Sequence, residues 1–230
     1  MKKISILFAL AILFQINVAQ ADSLTFSQKE FAAINKQVSE VGFNLLNSSG
    51  VEKRMAFSYN ADKTINATTS YHNRMITMYR GLYSYLESND ELAAVLAHEI
   101  SHGIDSYDGI LRGTFSNLSY VCSPKKYEYK ADKKAVDLMV NAGYNPVAMI
   151  VVMQKSFPQG RFDWHSTHPL TTRRTMEVYE YIYKKYPEYL AKNIYKNNIY
   201  YQNFLLTSKE NRAKFQKKIE TKSKGRVSYL

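Results

Sequence analysis

Cysteine is nearly missing from these 230 residues: Cys122 stands alone. No internal disulfide can form, although the start of the chain points to an oxidising compartment. The lone thiol is read as a small buried hydrophobe, with a pairing thiol for a partner as the alternative. Long apolar runs are missing after the first eighteen residues, so no later segment is read as crossing a bilayer. Internal repeats are missing as well. Acidic residues are scarce, 20 against 31 Lys and Arg, for a formal net charge of +11. That deficit is local. Residues 22–170 carry 15 basic and 15 acidic residues, whereas residues 171–230 carry 14 basic and 5 acidic. A basic surface in the last quarter can approach an anionic membrane surface or an acidic envelope protein. Solvated lysine that aids solubility is the alternative. Nucleic acid does not suit an exported chain.

What is present begins with an export signal. Lys2 and Lys3 precede an apolar stretch from Ile4 to Val18, and Ala19-Gln20-Ala21 is a small-x-small cleavage site. A mature start at Asp22 is expected, in the periplasm or, as the alternative, secreted. An uncut membrane anchor fits less well, because the run is short and broken by Gln15 and Asn17. No cysteine follows the signal, which argues against a lipoprotein anchor.

Residues 26–46 read as an amphipathic helix with Phe31, Ile34, Val38, Val41 and Leu45 along one stripe. Strand-like sequence follows at Arg54 to Tyr59, Ile65 to Ser70 and Arg74 to Met78. The strand at Met75 is read as bordering a cleft, where an edge strand could pair with an extended peptide; an ordinary sheet strand is the alternative. Ser88 and Glu91 form a capping box ahead of a helix held to the core by Leu92, Val95 and Leu96. Gly103 is read as letting the chain turn away. Further helices are expected after Ser123-Pro124, ending near Gly143, from Pro146 to Phe157, over 171–186, and once or twice after Pro187.

The helix after Ser88 carries the chemistry. His98 and His102 are four residues apart, so both rings leave one face and can grip one metal ion. Glu99 beside them can take a proton from the attacking water. This is the His-Glu-x-x-His pattern of zinc peptidases. Zinc needs a third protein ligand, and Glu128 is the candidate on its own helix. Asp132 shares a face with Glu128 and can accept the free N–H of a ligand histidine. Alternatively both acids pair with Lys125, Lys133 or Lys134 on a solvated face.

Five blocks in a fixed order resemble the gluzincin metallopeptidase family of HtpX, the CAAX prenyl proteases and the periplasmic peptidase BepA. They are Asn66-Ala67; Glu91 to His102; Glu128 with Asp132; Ala142-Gly143-Tyr144-Asn145-Pro146; and Ser166-Thr167-His168-Pro169 with Arg174. The resemblance implies an α+β, zincin-like metallopeptidase domain, mostly helical, with a small sheet whose edge strand borders the active-site cleft. It implies one Zn2+ per chain on His98, His102 and Glu128, with Glu99 as general base, Asp132 in support, and the His-Pro loop flanking the cleft. His168 is the candidate donor to the developing oxyanion, with His165 or a tyrosine as rivals; it could instead cover the zinc or be a loop histidine. Arg174 is assigned to pinning that loop. The chain departs from the family in lacking integral-membrane segments and tetratricopeptide repeats, in a short stretch from His102 to Glu128, and in Ser70-Tyr71-His72-Asn73 where a Gly-rich turn is usual. The expected organisation is a signal peptide at 1–21, a metallopeptidase domain at 22–186 and a basic helical extension at 187–230, packed on it or trailing from it. The expected function is an exported zinc endopeptidase acting on misfolded or unassembled cell-envelope proteins. The alternatives are a proteolytically silent scaffold that binds or assembles partners, and a secreted effector peptidase.

Overall fold

The computed structural model describes residues 27–70, 73–105, 124–156, 172–223, 225 and 227–229. The signal pattern at 1–21, His72, Cys122, His165 and His168 lie outside them. The chain falls into two units, Met1–Gln37 and Val38–Leu230. The first is represented by the opening turns of helix α1, residues 27–48. The second holds everything that follows.

From Val38 onward α1 buries Val38, Val41 and Leu45, the spacing of one helical face. Gly50, with φ of 60°, ends it, and the Val51 N–H closes back on the Leu46 carbonyl at 3.0 Å. Three strands follow: β1 (Ala56–Asn60), β2 (Ala67–Thr69) and β3 (Met75–Tyr79). β1 and β3 pair in parallel, β2 and β3 antiparallel, in the order β1-β3-β2. Alternation sends Phe57, Tyr59, Ile76 and Met78 inward. The Met75 strand is therefore the central strand and not the edge. The edge beside the helices is β2, a three-residue strand with Thr68 and Thr69 only partly buried. The reason is burial: Ile76 and Met78 are fully enclosed, which a position flanked on both sides provides.

After the short helix α2 (Arg80–Tyr83) comes α3 (Asn89–Asp105). Ser88 caps it, its hydroxyl accepting from the Glu91 N–H at 3.2 Å. The reciprocal bond differs from the expected box, since Glu91 Oε2 accepts from the Glu87 N–H at 3.0 Å. All of α3 except Asn89, Asp90, His98 and Asp105 is buried. Ala93, Ala94 and Ala97 allow neighbours to approach from several sides, so α3 is a central helix rather than an amphipathic one. Gly103 does not turn the chain; α3 runs on to Asp105. A Cβ at Gly103 would stand 3.2 Å from Met55 Cε and 3.4 Å from Thr69 Cγ2, so its smallness instead admits β2 and Met55.

The remaining helices are α4 (Pro124–Asn141), α5 (Ala148–Ser156), α6 (Thr172–Lys185), α7 (Pro187–Ala191), α8 (Ile199–Thr207) and α9 (Lys209–Glu220). Helix α3 packs on α4, α5, β2 and β3. Gly143, φ 78°, ends α4, and the Tyr144 N–H reaches the Met139 carbonyl at 2.9 Å. Asn145 then donates its N–H to Asp90 at 3.0 Å, tying the block at 142–146 to the start of α3. Phe204 of α8 packs on Tyr179 of α6, and Phe215 of α9 on Tyr179 and Tyr183. The architecture is α+β, mostly helical with one small sheet. Among the described residues, no helix is long and apolar enough to cross a membrane.

Candidate metal centre

His98 and His102 leave the same face of α3, and their Nε2 atoms lie 3.1 Å apart. Helix α4 brings Glu128 opposite them. Glu128 Oε2 is 3.4 Å from His98 Nε2, and Oε1 is 3.3 Å from His102 Nε2. The face of α4 that carries Glu128 also carries Ala131, Asp132 and Ala135, all buried. The two alanines let the helix axes close up. At the other end of the contact Lys130 and Lys134 bracket Asp105 at 3.0 and 3.3 Å.

The residues fit zinc. Ligand atoms on a tetrahedral zinc with its usual bond lengths stand about 3.3 Å from one another; the two Nε2 atoms are 3.1 Å apart, one Glu128 oxygen is 3.4 Å from His98 and the other 3.3 Å from His102, and one donor atom from each residue lies within 4.8 Å of the others. Two imidazoles and a carboxylate suit that ion. The field calls for a cation too. Burial alone would lower the His98 ring, but the Asp132 and Glu128 carboxylates override it and raise it to about 10. A histidine ligates metal as the neutral ring, so metal and proton compete at His98.

Asp132 lies beside the His98 ring. Its Oδ1 is 3.0 Å from His98 Nδ1, within hydrogen-bonding distance although the ring N–H is not aimed squarely at it. Burial would raise the Asp132 carboxyl, but Arg174 and His98 hold it below the usual carboxylate range. The lysine alternative does not hold for the described lysines: Lys133 pairs with Glu177 at 2.9 Å, and Lys134 with Asp105.

Arg174 reaches two acids of α4. From α6 its Nε and Nη2 donate to the two Asp132 oxygens at 2.8 and 2.7 Å, and Nη1 meets Glu128 Oε2 at 2.8 Å. One buried guanidinium therefore holds both Glu128 and Asp132. The His-Pro loop that it was expected to pin, with His168, lies outside the described residues.

Glu99 is 4 % exposed beside the metal ligands. Thr69 of β2 donates to its Oε2 at 2.7 Å, with the Glu99 carbonyl 2.9 Å away. Sequence reasoning missed Thr69; the signal available was strand alternation, which puts Thr69 on the same face as Ala67. It also missed a small apolar pocket, about 50 Å³, that opens beside His98 and Glu99. Leu82, Val95, Met149, Val152 and Met153 line it. The three from α5 carry no sequence mark beyond an apolar helix.

The arrangement combines a cation site, an adjacent buried carboxylate, a sheet edge and an apolar recess. The family model of Peptidase family M48 matches residues 32–121 and 112–182, a span that holds His98, Glu99, His102, Glu128, Asp132 and Arg174. No curated protein matches the chain.

Proposed function

This chain belongs to Peptidase family M48, and from that premise we propose that it is an exported zinc endopeptidase of the soluble periplasmic branch that cleaves unfolded or unassembled envelope proteins. His98, His102 and Glu128 would hold the zinc. When bound, that ion polarises the scissile carbonyl and lowers the pKa of a water towards neutral.

The protein's own groups do the rest. Glu99 accepts the proton of the attacking water and delivers it to the leaving amine. Arg174 fixes Glu128 and Asp132, and Asp132 orients the His98 ring. The edge of β2 offers backbone groups to an extended peptide. The recess lined by Val95, Met149 and Val152 receives an apolar side chain next to the scissile bond. Both features favour unfolded substrates, since a folded protein hides its apolar side chains and has few extended segments free to pair. The exported address is supported by Lys2, Lys3 and the site at Ala19-Gln20-Ala21. N-terminal sequencing checks it: a mature start at Asp22 is expected, and an intact Met1 contradicts it.

One observation carries the peptidase reading: a buried Glu99 carboxylate stands next to three converging metal donors. Zinc binding alone has no use for Glu99. With an unfolded envelope protein as substrate, Glu99→Gln is expected to lower turnover by about 10²–10⁴ while zinc stays bound. Unchanged proteolysis by that variant sinks the mechanism. Full rescue of a deletion phenotype by Glu99→Gln would point to a silent binding scaffold instead.

A further inference from the structure

We propose that Thr69 is the positioning residue for Glu99, and that through it strand β2 sets the direction of the proton-accepting carboxylate. The proposal rests on the peptidase reading above and adds to it.

A glutamate side chain has three rotatable bonds, and a carboxylate left to itself spreads over several rotamers. Glu99 is buried, so water does little to hold it. Thr69 Oγ1 is 2.7 Å from Glu99 Oε2 and 2.9 Å from the Glu99 carbonyl oxygen. The hydroxyl has one proton. The carboxylate is both nearer and charged, so the bond to Oε2 is the stronger of the two.

The Thr69 methyl is held as well. Its Cγ2 lies against Gly103, where an added Cβ would be 3.4 Å away. Methyl and hydroxyl are thus gripped by α3 one turn apart, which leaves the threonine little rotamer freedom. The strand behind it is fixed by pairing with β3, where Thr69 faces Ile76. Ala67, two residues earlier on the same face of β2, lines the recess beside His98 and Glu99. A peptide laid along β2 and the base that serves its scissile bond would therefore share one rigid frame. Such shared framing is what a near-attack geometry requires, since a misplacement of about 1 Å can cost about a hundredfold in rate.

Two substitutions separate the parts of this side chain. Thr69→Val keeps the branched shape and the contact with Gly103 but removes the donor. Thr69→Ser keeps the donor and removes the methyl. Thr69→Val is expected to lower kcat by about ten- to a hundredfold, with KM and zinc content unchanged, and Thr69→Ser is expected to recover most of the loss.

A second readout needs no turnover. In metal-free protein Thr69→Val should lower the urea midpoint of the parent more than that of Glu99→Ala, where the carboxylate is gone and only the weaker bond to the backbone carbonyl is left to lose. Equal losses in both backgrounds would mean that hydroxyl and carboxylate are not coupled, and would overturn the proposal. Coupling with an unchanged kcat would also overturn it, leaving the bond a structural one. A parent chain that shows no zinc-dependent cleavage would sink the peptidase reading, and the positioning role with it. An active parent that tolerates Thr69→Val would sink the positioning role alone.

Discussion

At the scale of the residue, the centre depends on one cation holding two anions. Glu128 and Asp132 are buried on adjacent turns of α4, and Arg174 contacts both at 2.7–2.8 Å. Removing the guanidinium would leave two buried carboxylates without the cation that meets both. Arg174→Gln is therefore expected to cost about 3–5 kcal/mol, read from urea denaturation, and to weaken zinc binding about 10- to 100-fold, read by competition with a chelator. A stable variant that holds zinc as the parent does would contradict this. His98, Glu99 and His102 were legible in the sequence because a four-residue spacing means one helix face whatever the rest of the fold does. Glu128 and Asp132 were legible for a similar reason, being a second i, i+4 pair. The partner of Arg174 was not legible. It lies 42 and 46 positions from the two acids it binds, and no local period encodes how α6 packs on α4. Thr69 escaped notice in the same way, since its contact with Glu99 depends on how closely β2 approaches α3.

Elements meet closely in this fold where glycine stands. At Gly42 in α1 an added Cβ would fall 2.5 Å from the Phe57 ring of β1. That ring is buried and packs edge-on against Phe43, with centroids 5.1 Å apart, so it must be displaced from that packing to make room. Alanine in place of glycine gains up to about 1 kcal/mol of helix propensity, whereas overpacking costs about 1–3 kcal/mol. Gly42→Ala is thus expected to lower stability on balance, as a drop in the urea midpoint; a rise would show that α1 and β1 are less tightly apposed. The period of 3.6 located α1 and α3 to α6 with useful accuracy, because each carries a long apolar stripe or a clear cap and stop. Strand order was another matter. Alternation marks which residues face inward but not which strand lies in the middle, so the Met75 strand could be taken for an edge until its pairing on both sides was seen. Gly103 misled for a related reason: a glycine after a helical motif resembles a stop, and only the approach of Met55 and Thr69 explains it as a gap.

Across the whole molecule, part of the excess positive charge near the C-terminus is engaged by carboxylates. Lys185 pairs with Asp137 at 2.8 Å. Glu180 of α6 meets Lys184 of the same helix, Lys218 of α9 at 3.4 Å and the hydroxyl of Tyr229, which is buried near the end of the chain. Burial would raise the Glu180 carboxyl, but Lys184, Tyr229 and Lys218 together hold it below its ordinary value. A depressed carboxylate stabilises the fold above its unfolded pKa of about 4.3, and that contribution fades as pH falls through the lower folded value. Glu180→Gln should therefore cost up to about 1 kcal/mol at pH 7, with the gap from the parent closing at acidic pH. A gap of constant size at every pH would show that charge is not what Glu180 contributes. The measurement that bears most directly on the whole is the metal content of the purified protein, beside a His98→Ala control. About one zinc per chain, lost in the control, is the expected result. No metal in either protein, even after zinc is added back, would contradict the centre built on His98, His102 and Glu128 and the peptidase that follows from it.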